Sequence, residues 1–423
     1  MIDVKINIEK LFVIIFVVVL SAFAIYFINS NPDIYVHYLT AREILKDPSF
    51  LWRTNLTGLQ NMLSQGSVFI TYPPLLYLFY ACIMAVGLPL FIATILSVIA
   101  IGYIIYKING LAIPFLFLSF MFVREVAFNG YDIPIVALTL ASFYLLMKKK
   151  FLASGVLVGL TALIKITGVF VVISWIIAMI VFERKNIKPK YLILTLIVTI
   201  LISSSWYIRN FTVTHDVYLA ALGLTKEIYA KSMNFLSTPF QMSQPERFIW
   251  DSSGYYPLPI DLLFYIGTFF FVLNLIRTKK IQPYSILVAL MILLYFIFQL
   301  SGTTFFVVRH EMLIFPFLAL EIANGIPKKY FKYSLIVCII FLVFWSLNLS
   351  KYSFNQYSEV ITPACDQIKS AIDNEPVYVN AFHNWFVIYK CDLNATIQSE
   401  SKWTLDFDSG KLYATNITNT TGV

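Results

Sequence analysis

The chain reads as an all-α polytopic membrane protein of about eleven transmembrane helices. A further re-entrant or interfacial segment and a small C-terminal exterior α/β domain complete it. Three observations predict this. Of 423 residues, 59% are hydrophobic and 13% charged, against roughly 25% charged in soluble domains, which excludes a soluble globular enzyme. The apolar residues fall in uninterrupted runs without strand-like alternation, and helices satisfy the backbone in lipid. The 31 Lys and Arg, against 23 Asp and Glu, gather in short clusters between those runs. That is a pattern of membrane topology, and it excludes a nucleic-acid partner.

Residues 11–28 follow Lys5 and Lys10. Ser21-Ala22-Phe23-Ala24 resembles a signal-peptide cleavage site, but the apolar run continues past it to about 18 residues, near the ~20 that span, so an uncleaved first helix is expected. Further runs cover 69–87, 89–106, 111–123, 131–147, 151–164, 168–182, 191–208, 258–276, 284–300, 309–325 and 331–348. The basic clusters at Lys148–Lys150, Arg184–Lys190, Arg277–Lys280 and Lys328–Lys332 belong in the cytoplasm. Parity closes if one run enters without crossing. The candidate is 69–87, because Tyr72-Pro73-Pro74 lies near its start and a proline pair is tolerated at a helix N-terminus but not inside. The N-terminus is then cytoplasmic and the C-terminus extracytoplasmic, in a cell membrane. Six Asn-X-Ser/Thr sequons, at Asn55, Asn210, Asn348, Asn394, Asn416 and Asn419, all fall in segments this topology places outside.

Two outer loops, 29–68 and 209–257, are long enough to carry chemistry within a membrane module of residues 1–350. Trp206, Tyr207, Trp250, Tyr255 and Tyr256 serve the second as interfacial anchors. Residues 351–423 form the exterior domain, with a helix near 357–373, a turn at Asp373–Pro376 and a strand at Val377–Val379. Of four cysteines, Cys365 and Cys391 lie in this domain. A bridge between them, enclosing about 25 residues, would contribute roughly 3 kcal/mol in an oxidising compartment.

Asp33, in Asn31-Pro32-Asp33-Ile34-Tyr35, stands just outside the first span. It fits a helix start, with Asn31 as N-cap, Pro32 at the first position and the acid against the dipole. The helix it opens runs to about Lys46, with Ile34, Tyr38 and Leu45 on one face, as expected of a helix lying along the interface. Asp132, with Arg124 and Glu125, lies at membrane depth after a span of about 13 residues, where ionisable groups are functional by default. Lys165, Arg209 and Arg309 mark the outer ends of different helices. Each could snorkel or position a helix, but three such cations also suit a lipid phosphate. The four histidines, among them His37 and His310, are scattered without a metal motif, and no Gly-rich phosphate cradle occurs.

The order of these features resembles the GT-C superfamily of polyprenyl-phosphate-sugar-dependent glycosyltransferases, mannosyltransferase-like integral membrane enzymes, over residues 11 to about 325. The matching parts are Asp33 with Tyr35 and Ala41, Tyr72-Pro73-Pro74-Leu75, Asn129-Gly130-X-Asp132, and Ala153-Ser154-Gly155 through Gly159-Leu160 to Lys165. Trp206-Tyr207-Ile208-Arg209-Asn210 and Arg309 ahead of Pro316 follow. Ile34 stands where many members carry a second acid, and Tyr72 where a basic residue often precedes the prolines. The donor sugar and acceptor are thereby left open.

The resemblance implies inverting transfer from a polyprenyl-phosphate sugar to a glycan, lipid or protein acceptor. Asp33 would be the general base and Asp132 the second catalytic candidate. Tyr35, His37, Tyr72, Arg124, Glu125, Lys165, Arg209, Arg309 and His310 would form the substrate-binding set. No cofactor is required, and a divalent cation, Mg or Mn, is compatible with the acids. A transporter or flippase for a lipid-linked or small anionic substrate is the rival class. It would place its charges nearer the bilayer midplane than this chain does.

Overall fold

The computed structural model describes residues 8–27, 32–52, 73–184, 187–214, 261–278, 281–300 and 312–349, with short stretches of the C-terminal region between 365 and 414. Helix α1 (Ile8–Tyr26) buries Phe12, Phe16, Leu20 and Ala24, four residues apart, and leaves Ile14, Ile15, Val18 and Ile25 exposed. One stripe meets protein and the rest suits lipid. The stripe packs on α4 (Ile92–Asn109) and α5 (Phe120–Ala127), with the Phe16 ring 5.9 Å from Phe117 and 6.2 Å from Phe122.

Helix α2 (Pro32–Lys46) differs from the surface helix expected. Leu45 is exposed, but Ile34, Tyr35, His37, Tyr38, Leu39, Thr40 and Ala41 are all buried. The reason is a partner that periodicity cannot supply: α3 (Leu75–Ala85) packs along it. Eleven residues give α3 a rise of about 16 Å at ~1.5 Å per residue, half the ~30 Å hydrocarbon thickness.

Among the described residues three helical stretches are long and apolar enough to cross a membrane alone, Ile8–Tyr26, Ile92–Leu118 and Pro189–Thr212, and the rest are shorter or broken. The run expected at 111–123 is a 3-10 stretch, Gly110–Leu118, followed by α5. The break falls at Ser119, whose Oγ accepts from Phe122 N at 2.9 Å and donates to the Asp261 carboxylate. Helix α5 then turns into α6 (Asp132–Met147) at 115°.

Helices α7 (Phe151–Ala162) and α8 (Gly168–Ala178, continued by a π turn Met179–Glu183) pack beside α6, and α9 (Pro189–Thr214) packs on α7. Gly155 and Gly159 let α7 and α9 close: a Cβ on Gly155 would lie 2.5 Å from Thr199 Oγ1, and one on Gly159 3.1 Å from the Thr199 carbonyl oxygen. This small-residue spacing is a common membrane helix contact. Helix α9 runs past the expected end at 208, so the second outer loop begins later than position 209. Its Asn210 is 1% exposed within the helix and accepts from Arg209 Nη1 at 3.0 Å, which denies that sequon a glycan in the folded chain.

Helices α10 (Leu262–Thr278), α11 (Ser285–Leu300), α12 (Phe315–Gly325) and α13 (Phe331–Leu349) follow. Buried Glu321 of α12 accepts from Tyr284 Oη at 2.8 Å and from Asn274 Nδ2 at 2.6 Å, which ties α10 and α12 to the start of α11. In the C-terminal region β1 (Val377–Tyr378), β2 (Ala395–Thr396), β3 (Trp403–Asp406) and β4 (Lys411–Ala414) form a sheet ordered β2-β1-β3-β4. β1 runs parallel to β2 and β3, and β4 antiparallel to β3 with Trp403 opposite Ala414. The expected strand overlaps β1. Most of the expected helix at 357–373 lies outside the described residues.

Candidate active site

Four local structures converge. Leu75 N at the head of α3 donates to Leu163 O at 2.9 Å, which brings the Pro73-Pro74 entry against the turn that follows α7. Proline lacks the N–H a helix start leaves unpaired, so Pro74 caps α3 without loss. From α2, His37 stacks on Tyr77 of α3, centroids 5.3 Å apart at 28°, and meets the Tyr131 ring at 4.7 Å.

Tyr131 precedes Asp132, the first residue of α6, and the turn after α7 presents Lys165 to both. Lys165 Nζ lies 2.6 Å from Asp132 Oδ1 and 4.9 Å from the Tyr131 ring centroid. The two side chains are only 6% and 5% exposed. A pair so dry exacts a large desolvation penalty, and removing one partner leaves an uncompensated charge. His37, Tyr77, Tyr131, Lys165 and Asp132 thus form one aromatic and ionic cluster.

The turn that aims Asp132 is built from Asn129 and Gly130. Asn129 takes φ +56°, a left-handed conformation that asparagine tolerates, and its Nδ2 donates to Ala24 O of α1 at 2.8 Å. Gly130 N donates to Glu125 O at 2.6 Å, and a Cβ on Gly130 would fall inside the Glu125 carboxylate. Glu125 itself is 1% exposed and pairs with Arg124 Nη1 at 3.0 Å, while the Arg124 guanidinium lies 5.5 Å from the Phe128 ring centroid. Arg124 and Glu125 therefore brace the turn. Gly130→Ala is expected to destabilise the fold by about 1–3 kcal/mol, the usual overpacking cost. Thermal melting in detergent checks this, with Gly130→Ala/Glu125→Ala expected to recover part of the loss.

Arg209 also has structural partners. Its Nη2 donates to Leu51 O at 2.7 Å and its guanidinium lies 4.8 Å over Trp206, so it fastens the 3-10 turn Pro48–Trp52 to α9. Next to it Tyr207 Oη donates to Ala162 O at 3.0 Å, beside the Lys165 turn.

Tyr35 is buried, its ring 6.1 Å from Tyr38. Burial first, and Tyr389 second, hold the Tyr35 hydroxyl well above the usual phenol range, so it stays protonated. The structure thus brings together His37, Asp132 and Lys165, and places Arg124 with Glu125, Arg209 and Tyr35 at supporting contacts. Asp33 belongs to α2, but its side chain lies outside the described residues, as do Tyr72, Arg309 and His310. Cys365 and Cys391 are bonded, Cα atoms 5.0 Å apart. Sequence reasoning passed over Tyr77 and Tyr131. Tyr77 sits one helical turn after the proline pair and Tyr131 adjoins the acid, so both carried a signal.

Among the described residues no three His, Cys, Asp or Glu side chains gather as a metal cluster would. Asp132 and Glu125 each hold a cationic side chain instead, a donor set that does not fit a divalent ion.

Beneath the Lys165 turn a cavity of about 300 Å³ opens between α3, α4, α6 and α7. Leu76, Phe79, Leu96, Pro134, Leu160 and Ile164 line it, and Phe79 and Leu96 also face outward. Its single polar side chain, Ser97, donates to Ala93 O at 2.8 Å. Ile164 adjoins Lys165 and Pro134 lies two residues after Asp132, so the cavity wall and the buried ion pair are built from the same two local structures, the turn after α7 and the start of α6.

No curated protein matches the sequence significantly. A family model for glycosyltransferase family 87 matches residues 69–296, just over half the chain. The match takes in Tyr77, Tyr131, Asp132 and Lys165, and leaves Asp33 and Arg309 outside. Together with the long apolar helices, it establishes that the chain belongs to glycosyltransferase family 87 and is a membrane glycosyltransferase.

Proposed function

We propose that the protein moves a sugar from a polyprenyl-phosphate donor to a glycan, lipid or protein acceptor on the extracytoplasmic face, with inversion. The observation that carries this reading is the dry Lys165–Asp132 pair beside an apolar cavity that opens outward. An amphiphile with an anionic head and a hydrocarbon chain matches both halves. Asp132 holds the ammonium toward one place, and a cation in a water-poor site opposes developing negative charge more strongly than it would in water.

In the step envisaged, an acceptor hydroxyl oxygen bonds to the anomeric carbon. The bond from that carbon to the phosphate oxygen breaks, its electron pair leaving with polyprenyl phosphate. The hydroxyl proton passes to the carboxylate of Asp33, on the helix that also carries His37 into the cluster. Arg309, His310 and Tyr72 complete the donor side in this reading. Membership of a glycosyltransferase family supports transfer over transport. The experiment is incubation of detergent-purified protein with radiolabelled polyprenyl-phosphate sugars. Release of polyprenyl phosphate with label on an acceptor is expected, and label carried across a bilayer intact would support a transporter instead.

The matching topology has eleven spans, a cytoplasmic N-terminus and an exterior C-terminal domain, in the cell membrane. It is supported by the basic clusters and by the apolar helices, three of which are long enough among the described residues to cross a membrane alone. With Cys82 and Cys338 replaced, a cysteine at position 394 is expected to react with an impermeant reagent from outside, and one at position 149 to be spared. Labelling at 149 from outside would reverse the orientation.

A further inference from the structure

On the face of α2 away from His37, a short C-terminal segment grips the helix. The Tyr389 ring lies 5.1 Å from Tyr35 and 5.5 Å from Tyr38. Asp392 Oδ1 accepts from Arg42 Nη1 at 3.0 Å. Tyr35, Tyr38 and Arg42 stand at i, i+3 and i+7, one stripe of the helix. Between the two gripping residues, Cys391 is bonded to Cys365, and both cysteines are buried.

The contacts by themselves are weak. Asp392 is 71% exposed, and an exposed ion pair contributes little. What makes them persistent is the cross-link, 26 residues apart in sequence, which removes freedom from the segment that presents them. Tyr389 and Asp392 therefore meet α2 as one tethered unit. The stripe begins two residues after Asp33 on the same helix, so what fixes α2 fixes the backbone that carries the acid.

We propose that Tyr389 and Asp392, presented by the Cys365–Cys391 bond, are positioning residues for the acid on α2, and that transfer therefore depends on an oxidising exterior. The link to catalysis rests on Asp33 being the base. The clasp itself does not. Reduction would lower kcat more than it changes donor KM, because a misplaced base slows the chemical step, while Lys165 and the cavity are carried by other elements and only His37 of the cluster lies on α2. A displacement on the scale of an ångström is worth up to about 100-fold.

The test uses the full chain in detergent with two readouts, amide hydrogen exchange along α2 and kcat with KM for sugar transfer. Dithiothreitol reduction of folded wild-type protein, Cys365→Ser/Cys391→Ser, and Tyr389→Ala are each expected to speed exchange in α2 at least about tenfold, with α6 unchanged, and to lower kcat about 10- to 100-fold with a smaller change in KM. Tyr389→Phe keeps the ring and is expected to match wild type. Unchanged α2 exchange after reduction and in Tyr389→Ala would overturn the proposal, as would a loss in KM alone. Should the cysteine variants fail to fold, reduction of wild-type protein decides the outcome. A wild-type chain that transfers no sugar while α2 exchange responds to reduction would refute the polyprenyl-phosphate reading and leave the clasp standing.

Discussion

Asp33→Asn is expected to transfer sugar at least about 100-fold more slowly than the wild-type chain, to melt at the same temperature, and still to bind lipid-phosphate sugar. Asparagine keeps the shape and much of the hydrogen bonding of the carboxylate but accepts no proton, and a general base supplies about 10²- to 10⁴-fold in rate. The competing account is that Asp33 complements the dipole at the start of α2, worth about 0.3–1 kcal/mol. That account moves the other observable: the melting temperature falls and turnover stays near normal. Asp33→Glu restores a carboxylate displaced by one methylene and is expected to recover part of the rate. Normal turnover in Asp33→Asn would remove it from the chemistry and make Asp132 the next base to test, even though Asp132 is committed to an ammonium in the structure.

The apolar helices were legible because their signals are local. An unbroken apolar run needs no knowledge of its neighbours, and the described parts of the runs from 11–28 to 331–348 are helical, though only three stretches among them are long enough to cross a membrane alone. Boundaries went wrong where polar residues are buried with partners close in sequence. Arg209 and Asn210 read as the start of a loop, but they pair with each other inside α9. Serines 203 and 205 likewise donate to carbonyls three residues back, which lets a polar stretch remain helical.

The burial of α2 was not legible, since it depends on α3, whose approach is set by a bond from Leu75 to Leu163 across 88 positions of chain. The site was legible in its charges and not in its geometry. Asp132 and Lys165 each stand out as ions in apolar surroundings, but their pairing spans 33 residues and follows from how α6 packs on α7. Tyr77 and Tyr131 were lost among 26 tyrosines.

Lys165→Met is expected to destabilise the protein by about 3–5 kcal/mol, because it leaves the Asp132 carboxylate buried without its cation. A loss of activity in that variant would say nothing by itself, since an unfolding protein also loses activity. The double variant Asp132→Asn/Lys165→Met separates the two roles. It removes both charges together, and replacing a buried pair with neutral groups is often close to neutral for stability, so most of the melting temperature should return. Transfer should not return with it. If Lys165 opposes the charge on the departing phosphate, its absence costs about 10²- to 10³-fold in kcat, the usual effect of losing one charge-stabilising donor in a water-poor site. Lys165→Arg keeps the charge with a different fork geometry and should fall between wild type and the double variant. A double variant that melts like wild type and also transfers sugar at the wild-type rate would reduce the pair to a structural tie between α6 and the turn after α7. The apolar cavity would then have no charged partner, and the polyprenyl-phosphate reading would lose the observation that carries it.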